Sequence, residues 1–154
     1  MSMTNEEEHR RGRRNHDQER DKSKFADYIQ LHTINGKVIT RADEKKILQE
    51  GLTQFGLNLR EAQGILLSVA SEREIALVSH IEHHIETYLQ QVAKGSKVAR
   101  NDFNKAVFLY RKLTKESISD VDIRSRIKQM IEQQGWTGRR RILMLGSKRW
   151  FKKI

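Results

Sequence analysis

Apolar residues recur at spacings of three and four positions from residue 25 to residue 134, and the chain contains no proline that would interrupt them. This spacing places apolar side chains on one face of a helix, whereas a proline inside a helix costs roughly 3 kcal/mol. No alternating, strand-like pattern competes in this range. The sequence therefore predicts an all-α fold, a compact bundle of about six helices over residues 25–134, which is long enough to enclose its own core.

Polar residues that can cap a helix precede the apolar stretches. Most of them are followed three positions later by an acidic residue, as in a capping box. The first helix is expected to be short and to begin at Phe25. The caps predicted for the later helices are Thr40, Asn58, Ser71, Asn101 and Ser119, and the glycines expected to end helices are Gly56, Gly95 and Gly135.

An internal repeat is suggested by two similar segments, residues 35–48 and 94–107. Gly36 and Asp43 match Gly95 and Asp102 at an offset of 59, as Arg41 and Lys46 match Arg100 and Lys105, and the next caps match at an offset of 61. Two interpretations stay open: duplication of a helical unit, or coincidence between similar amphipathic helices.

The first 24 residues contain only two apolar side chains, Met1 and Met3. Such a segment buries too little surface to offset its chain entropy, so a disordered, mixed-charge tail is expected, with a partner-induced helix as the alternative. The N-terminus has no apolar signal-peptide core, and no stretch approaches the roughly 20 apolar residues that a membrane span needs. A cytoplasmic location is expected.

Positive charge is concentrated at the C-terminus. The formal net charge is +10, and residues 135–154 hold seven cations and no anion, together with both tryptophans, Trp136 and Trp150. Two basic clusters flank the apolar residues 142–145. The segment is therefore predicted to bind a partner or an anion, through Arg139, Arg140, Arg141, Lys148, Arg149, Trp150, Phe151, Lys152 and Lys153.

This segment, which we treat as a basic, aromatic C-terminal tail, allows several interpretations. A protein partner anchored by tryptophan and arginine is preferred, and it would make the chain an adaptor or a subunit of a larger assembly. The alternative is nucleic acid, with cations on phosphates and Trp150 or Phe151 stacked on an unpaired base. A membrane surface is less favoured. The plainest interpretation is that the apolar side chains cover the core and the cations are solvated.

No chemistry-bearing motif is found. Cysteine is absent, and the sequence contains no P-loop, G-x-S-x-G or dinucleotide-binding glycine pattern. Neither an enzyme, nor a cofactor, nor a small-molecule substrate is therefore expected. His80 and His84 are four residues apart and could share a metal, but no H-E-x-x-H motif accompanies them. Surface histidines are the preferred interpretation, and a pH-sensitive contact stays open.

The loop that begins Asn35-Gly36-Lys37 resembles a degenerate EF-hand, with Gly36 sixth in the loop and Val38 eighth. Calcium needs oxygen ligands at the first, third, fifth and twelfth positions. Those positions hold Leu31, Thr33, Asn35 and Ala42. Because only Asn35 is a credible ligand, calcium binding is not expected.

Residues 25–93 also resemble the tellurite-resistance TerB-like helical domains. The matching motifs are Gly36-Lys37-Val38, Asp43-Glu44 and Phe55-Gly56-Leu57. The resemblance implies a helical accessory domain that acts through contacts with other proteins. Acidic clusters implicated in metal binding in that family have no counterpart in this sequence, so no metal role carries over.

Overall fold

The computed structural model describes the backbone of residues 5–34, 36–139 and 149–154, with the side chains of residues 16–34, 36–139 and 150–154. The predicted all-α class is confirmed: the described residues form seven helices and four two-residue strands. In chain order these are α1 (Asn5–His32), β1 (Val38–Ile39), α2 (Arg41–Thr53), α3 (Leu59–Glu72), β2 (Ala76–Leu77), α4 (Val78–Val92), β3 (Lys97–Val98), α5 (Arg100–Leu113), α6 (Asp120–Gln133), β4 (Thr137–Gly138) and α7 (Arg149–Lys152).

The chain divides into two compact units, unit 1 (Met1–Ile75) and unit 2 (Ala76–Ile154). The boundaries expected from the sequence, after residues 24 and 134, do not coincide with this division. One reason is that α1 continues unbroken through residue 25. The other is that β4 and α7 pack within unit 2 instead of forming a separate segment.

The internal repeat appears in the order and the spacing of the elements. In unit 1, α1 is followed by β1, α2 and α3; in unit 2, α4 is followed by β3, α5 and α6. The strands β1 and β3 begin 59 residues apart, as do α2 and α5, whereas α3 and α6 begin 61 residues apart. These offsets are the ones found between the matching residues, which supports duplication of a helical unit over coincidence.

Helix α1 begins at Asn5, twenty residues before the predicted start at Phe25. The segment expected to be a disordered tail is thus helical from Asn5 onward, and residues 1–4 lie outside the described residues. Glutamate and arginine are good helix formers, and ion pairs three residues apart add support along α1, such as Lys22 Nζ to Glu19 Oε1 at 3.2 Å.

Contacts with α3 hold the charged part of α1. Gln18 Nε2 donates to Glu61 Oε1 at 2.8 Å, and Lys22 Nζ lies 3.4 Å from the same oxygen. The pKa of Glu61 is lowered first by the hydrogen bond from the Asn58 backbone N–H and then by Lys22 and Gln18, which together outweigh partial desolvation. The sequence alone did not show this attachment, because it joins residues about forty positions apart.

Three predicted caps are confirmed. Thr40 and Asn58 form complete capping boxes with Asp43 and Glu61, and the Ser119 side chain accepts from the Asp122 N–H. The N–H groups at the start of each helix lack partners within the helix, and these side chains satisfy some of them.

The prediction that Ser71 and Asn101 are caps is wrong. Ser71 lies inside α3, and the turn that follows it ends that helix: the Ile75 N–H donates to the Ala70 oxygen, and Glu74 takes a positive φ of 53°. Helix α4 therefore begins only at Val78. Helix α5 begins at Arg100, one residue before its predicted cap.

The two cores differ in which helix supplies the large buried side chain. In unit 1 the buried ring of Phe25 occupies the space beside Gly51, where a Cβ would lie 2.8 Å from Phe25 Cζ. In unit 2 a buried tyrosine, Tyr110, stands 59 residues after Gly51, and Ile85 stands 60 residues after Phe25. The large side chain thus comes from the first helix of unit 1 and from the second helix of unit 2.

In the part of the chain that the structure describes, none of the helices combines the length and the apolar composition that crossing a bilayer requires.

Two glycine substitutions test the packing of unit 1. We expect Gly51→Ala to lower the free energy of unfolding by about 1–3 kcal/mol, because the new methyl group overpacks the core against Phe25 and Ala62. Gly64→Ala in α3 is the control: its Cβ meets nothing within 4 Å, and it should raise stability by up to about 1 kcal/mol. Urea unfolding followed by circular dichroism measures both changes, and equal effects would contradict the packing described.

Candidate anion-binding surface

Charge is divided unequally between the two units. Unit 1 holds 13 Lys+Arg and 13 Asp+Glu, whereas unit 2 holds 17 and 7. The whole formal charge of +10 therefore belongs to unit 2. Such an excess creates a positive potential that attracts anions and is screened by salt.

The C-terminal aromatic residues pack on the core of unit 2. Phe151 is only 6% exposed, and the partly buried Trp150 meets Phe103 edge-on with ring centroids 5.5 Å apart. Trp136 packs against the same core. Both rings are therefore engaged inside their own unit, and a role of Trp150 and Phe151 in binding a partner stays a prediction.

Helix α7 packs against the strand pair β3–β4. The two strands are parallel, with Lys97 opposite Thr137 and Val98 opposite Gly138. A Cβ on Gly138 would lie 2.7 Å from Trp150 Cζ2 and 2.9 Å from Phe151 Cβ. The indole Nε1–H of Trp150 donates to the backbone oxygen of Arg139 at 3.4 Å. Helix α7 can thus approach this closely only because residue 138 has no side chain.

Cations of two helices gather around these aromatic rings. The guanidinium of Arg124 lies 5.9 Å from the centroid of Phe103, and Lys128 Nζ lies 5.7 Å from that of Phe151. Both distances suit a cation–π contact. Lys152 and Lys153 are exposed beside Phe151. Together with Arg139, which follows β4 and whose backbone oxygen accepts from the Trp150 indole, these residues are called the α6–α7 face: Arg124, Lys128, Arg139, Lys152 and Lys153.

Most cations of the α6–α7 face have no carboxylate partner in the part of the chain that the structure describes. Arg124 pairs with Asp120 at 3.5 Å and also donates to Asn104 Oδ1. Among the described residues, Lys128, Lys152 and Lys153 make no ion pair. Like charges held close together repel each other, and a bound anion would relieve that repulsion. Docking of Phe151 beside Lys128 brings α7 next to α6.

The remaining predicted site residues are less completely placed. Arg139 lies at the end of β4, where its N–H donates to the Val98 oxygen at 2.7 Å. Arg140, Arg141, Lys148 and residues 142–145 lie outside the described residues, as does the side chain of Arg149. Arg124 and Lys128 were missed by sequence reasoning because α6 belongs to a nearly neutral stretch; their i, i+4 spacing was the available signal.

A buried carboxylate, that of Glu82, pairs with a partly exposed cation of α6. The Glu82 carboxylate, with its side chain 7% exposed, accepts from Arg126 Nη1 at 2.9 Å and from the Tyr110 hydroxyl at 3.4 Å. A buried carboxylate needs such partners, because leaving it unpaired costs several kcal/mol. This network joins α4, α5 and α6, and Arg126 is therefore a structural residue of unit 2.

The histidines of α4 lie on the surface. His80, His83 and His84 are exposed, and the rings of the last two are 6.4 Å apart. Within the described ranges, no group of three His, Cys, Asp or Glu side chains could hold a metal ion. His80 and His84 accordingly lack a third ligand there.

Unit 1 contains a small cleft of about 100 Å³ at the loop where the EF-hand and TerB-like motifs lie, lined by His32, Thr33, Gly36, Val38, Ile39, Asp43, Lys46 and Ile47. Ligand pockets for small molecules usually measure about 300–1,000 Å³. The Asp43 carboxylate already accepts from the Thr40 hydroxyl at 2.7 Å. The cleft is thus small, and its carboxylate is committed to capping α2.

Comparisons with protein-family models, with curated proteins and with solved structures find no match to this chain. The resemblance to TerB-like and EF-hand domains stays a prediction.

Substitution of Gly138 tests the packing of α7 against β4. In a Trp136→Phe background, where Trp150 is the single tryptophan, we expect Gly138→Ala to displace the indole from Phe103. Its fluorescence should shift to longer wavelength, and acrylamide should quench it more strongly. Gly64→Ala, in the same background, should change neither property. An unchanged emission spectrum for Gly138→Ala would contradict the close approach of α7 to β4.

Proposed function

We propose that this protein is a non-enzymatic nucleic-acid-binding module, in which unit 2 holds the phosphate backbone on its α6–α7 face. One observation carries the proposal: the whole net charge belongs to unit 2, and three lysines of the face have no carboxylate partner within the described residues. Docking of Trp150 and Phe151 favours this function over a protein partner captured by free aromatic anchors. A cytoplasmic location, where nucleic acid is accessible, is part of the proposal.

Phosphate contacts by lysine and arginine explain how such a face would bind. Each neutralised phosphate releases condensed counterions, so affinity falls as the salt concentration rises. The five cations of the face alone would give a slope of log K against log salt of about −3.5 on a single strand and about −4.5 on a duplex. Because phosphates carry no base identity, weak sequence preference is expected.

Removal of three cations from the face tests the proposal. We expect Lys128→Gln, Lys152→Gln and Lys153→Gln, combined in one variant, to reduce the magnitude of the single-strand salt slope by about 2 and to weaken binding at low salt. Fluorescence anisotropy with a labelled oligonucleotide, titrated at several NaCl concentrations, gives the slope.

A control variant with the same loss of charge separates the face from general electrostatics. Lys24→Gln, Lys37→Gln and Lys45→Gln remove three exposed lysines from unit 1, and we expect the slope to stay close to that of the wild type. Equal losses in both variants would show that no particular face binds. Absence of salt-dependent binding in the wild type would refute nucleic-acid binding itself.

A second candidate function, the adaptor, is favoured by a different observation in unit 1. Leu31 and Ile34, near the end of α1, are 69% and 62% exposed. Exposed apolar side chains on an electrically balanced unit suit a protein interface that depends little on salt. The chain would then be a subunit of an assembly held through unit 1.

The adaptor function predicts a salt-resistant partner. In affinity capture with 1 M NaCl, the wild type and the triple lysine variant of the α6–α7 face should retain the same protein, whereas Leu31→Ser combined with Ile34→Ser should lose it. Retention by the serine variant would exclude this surface as the interface.

A further inference from the structure

One aromatic ring of unit 2 faces solvent. Phe108 on α5 is 54% exposed, although Phe103 and Tyr110 of the same helix are fully buried. At 3.6 residues per turn, Phe108 lies about 140° around the helix from Phe103, away from the core. Within the described ranges, its one ring contact is with Lys112, whose Nζ lies 5.9 Å from the ring centroid.

Polar and cationic side chains surround this ring. Lys105 and Lys112 are three residues before it and four after it on the same exposed side of α5. Asn104, four residues before it, accepts from Arg124 Nη1 of α6 at 3.4 Å. Arg124 belongs to the α6–α7 face, so a single residue pair connects that face with the surroundings of Phe108.

We propose that Phe108 is a stacking platform for an unpaired base, so that unit 2 prefers single-stranded nucleic acid. This inference rests on the proposed function and names the form of its ligand. Proteins that bind single strands without sequence preference combine a cationic path for the backbone with aromatic rings on which bases stack. The structure offers that combination at Phe108, because a cation lies over the ring and more than half of the residue is exposed to solvent.

Lys112 can exchange its present partner for a phosphate at little cost. Its Nζ lies 2.9 Å from Glu116 Oε1, and both side chains are more than half exposed. An ion pair in such surroundings contributes little stability. Lys112 also holds the pKa of Glu116 below its usual value by a hydrogen bond, so Glu116 is an anion that competes with phosphate for Lys112. Glu116→Gln should therefore tighten binding.

Stacking explains why the ring would distinguish the two forms of nucleic acid. In a duplex the base faces are covered by their neighbours, so a surface phenylalanine reaches only the backbone and the groove edges. In a single strand a base can turn out and lie on the ring. The phosphates on either side would then come within reach of Lys105 and Lys112. Preference for single strands should depend on Phe108, whereas salt dependence should depend on the cations.

The test compares a labelled 20-nucleotide oligo(dT) with a labelled duplex of the same length, using the full chain at low salt. We expect Phe108→Leu to weaken binding to oligo(dT) about 5- to 150-fold, the usual range for loss of one stacked base, and to change duplex binding less than about 2-fold. Phe108→Trp should keep the preference for single strands. Oligo(dT) should quench the fluorescence of the added tryptophan, which the wild type lacks.

Two controls make the result specific. Leu109→Ala removes an exposed apolar side chain one position along α5, and we expect single-strand affinity to stay within about 2-fold of the wild type. Thermal unfolding of Phe108→Leu should match the wild type, since the ring is not part of the core. Equal losses in Phe108→Leu and Leu109→Ala would overturn the stacking role, because the loss of affinity would then not be specific to the aromatic ring.

The outcomes also separate this inference from the proposed function. Salt-dependent binding to oligo(dT) with unchanged affinity in Phe108→Leu would refute stacking and leave phosphate binding in place. A parallel loss of oligo(dT) and duplex binding in Phe108→Leu would likewise refute the preference for single strands. If the wild type bound neither oligonucleotide at low salt, both the proposed function and the inference would fail.

Discussion

The packing of Phe151 and Trp150 against Phe103 determines what the basic end of this chain can do. A free tail with two clusters of cations and a tryptophan would be an adhesive segment of undefined shape. Docked above Gly138, Trp150 and Phe151 extend the core of unit 2 and bring α7 beside Lys128 of α6. The cations of α6, which are far away in the sequence, then join those of α7 in one surface. A single residue without a side chain makes this arrangement possible.

The two units share an order of helices but differ in net charge and in core side chains. Their elements follow at matching offsets, yet one unit is electrically balanced and the other carries the entire excess charge. Their cores are filled differently as well, since a ring from α1 occupies the space beside Gly51 where unit 2 has Tyr110 in the second helix. The matching order and spacing of the elements are thus compatible with different core side chains in the two units. The surface charge could diverge with even less constraint.

Local signals were the most successful part of the sequence reasoning. The caps at Thr40, Asn58 and Ser119 were correctly identified, because a cap depends on residues three positions apart. Ser71 has the same spacing to an acidic residue but lies at the end of α3, where the turn through Glu74 decides the outcome. The charged beginning of α1 was misjudged because its stabilising contacts reach Glu61 in α3. Phe108 was not singled out, since helical periodicity alone does not tell an exposed ring from a boundary position.

The amino-acid sequence by itself determined the helical class, the starts of α2, α3 and α6, the spacing of the repeat and the excess of positive charge. Each of these follows from residues close together in the chain or from simple counting. Tertiary structure decided where the charge is presented and which aromatic rings meet solvent. Burial of Trp150 and Phe151, and exposure of Phe108, depend on contacts between α5, α6, β4 and α7. Such contacts require distant segments to fill one volume, and the pattern within any one segment does not specify them.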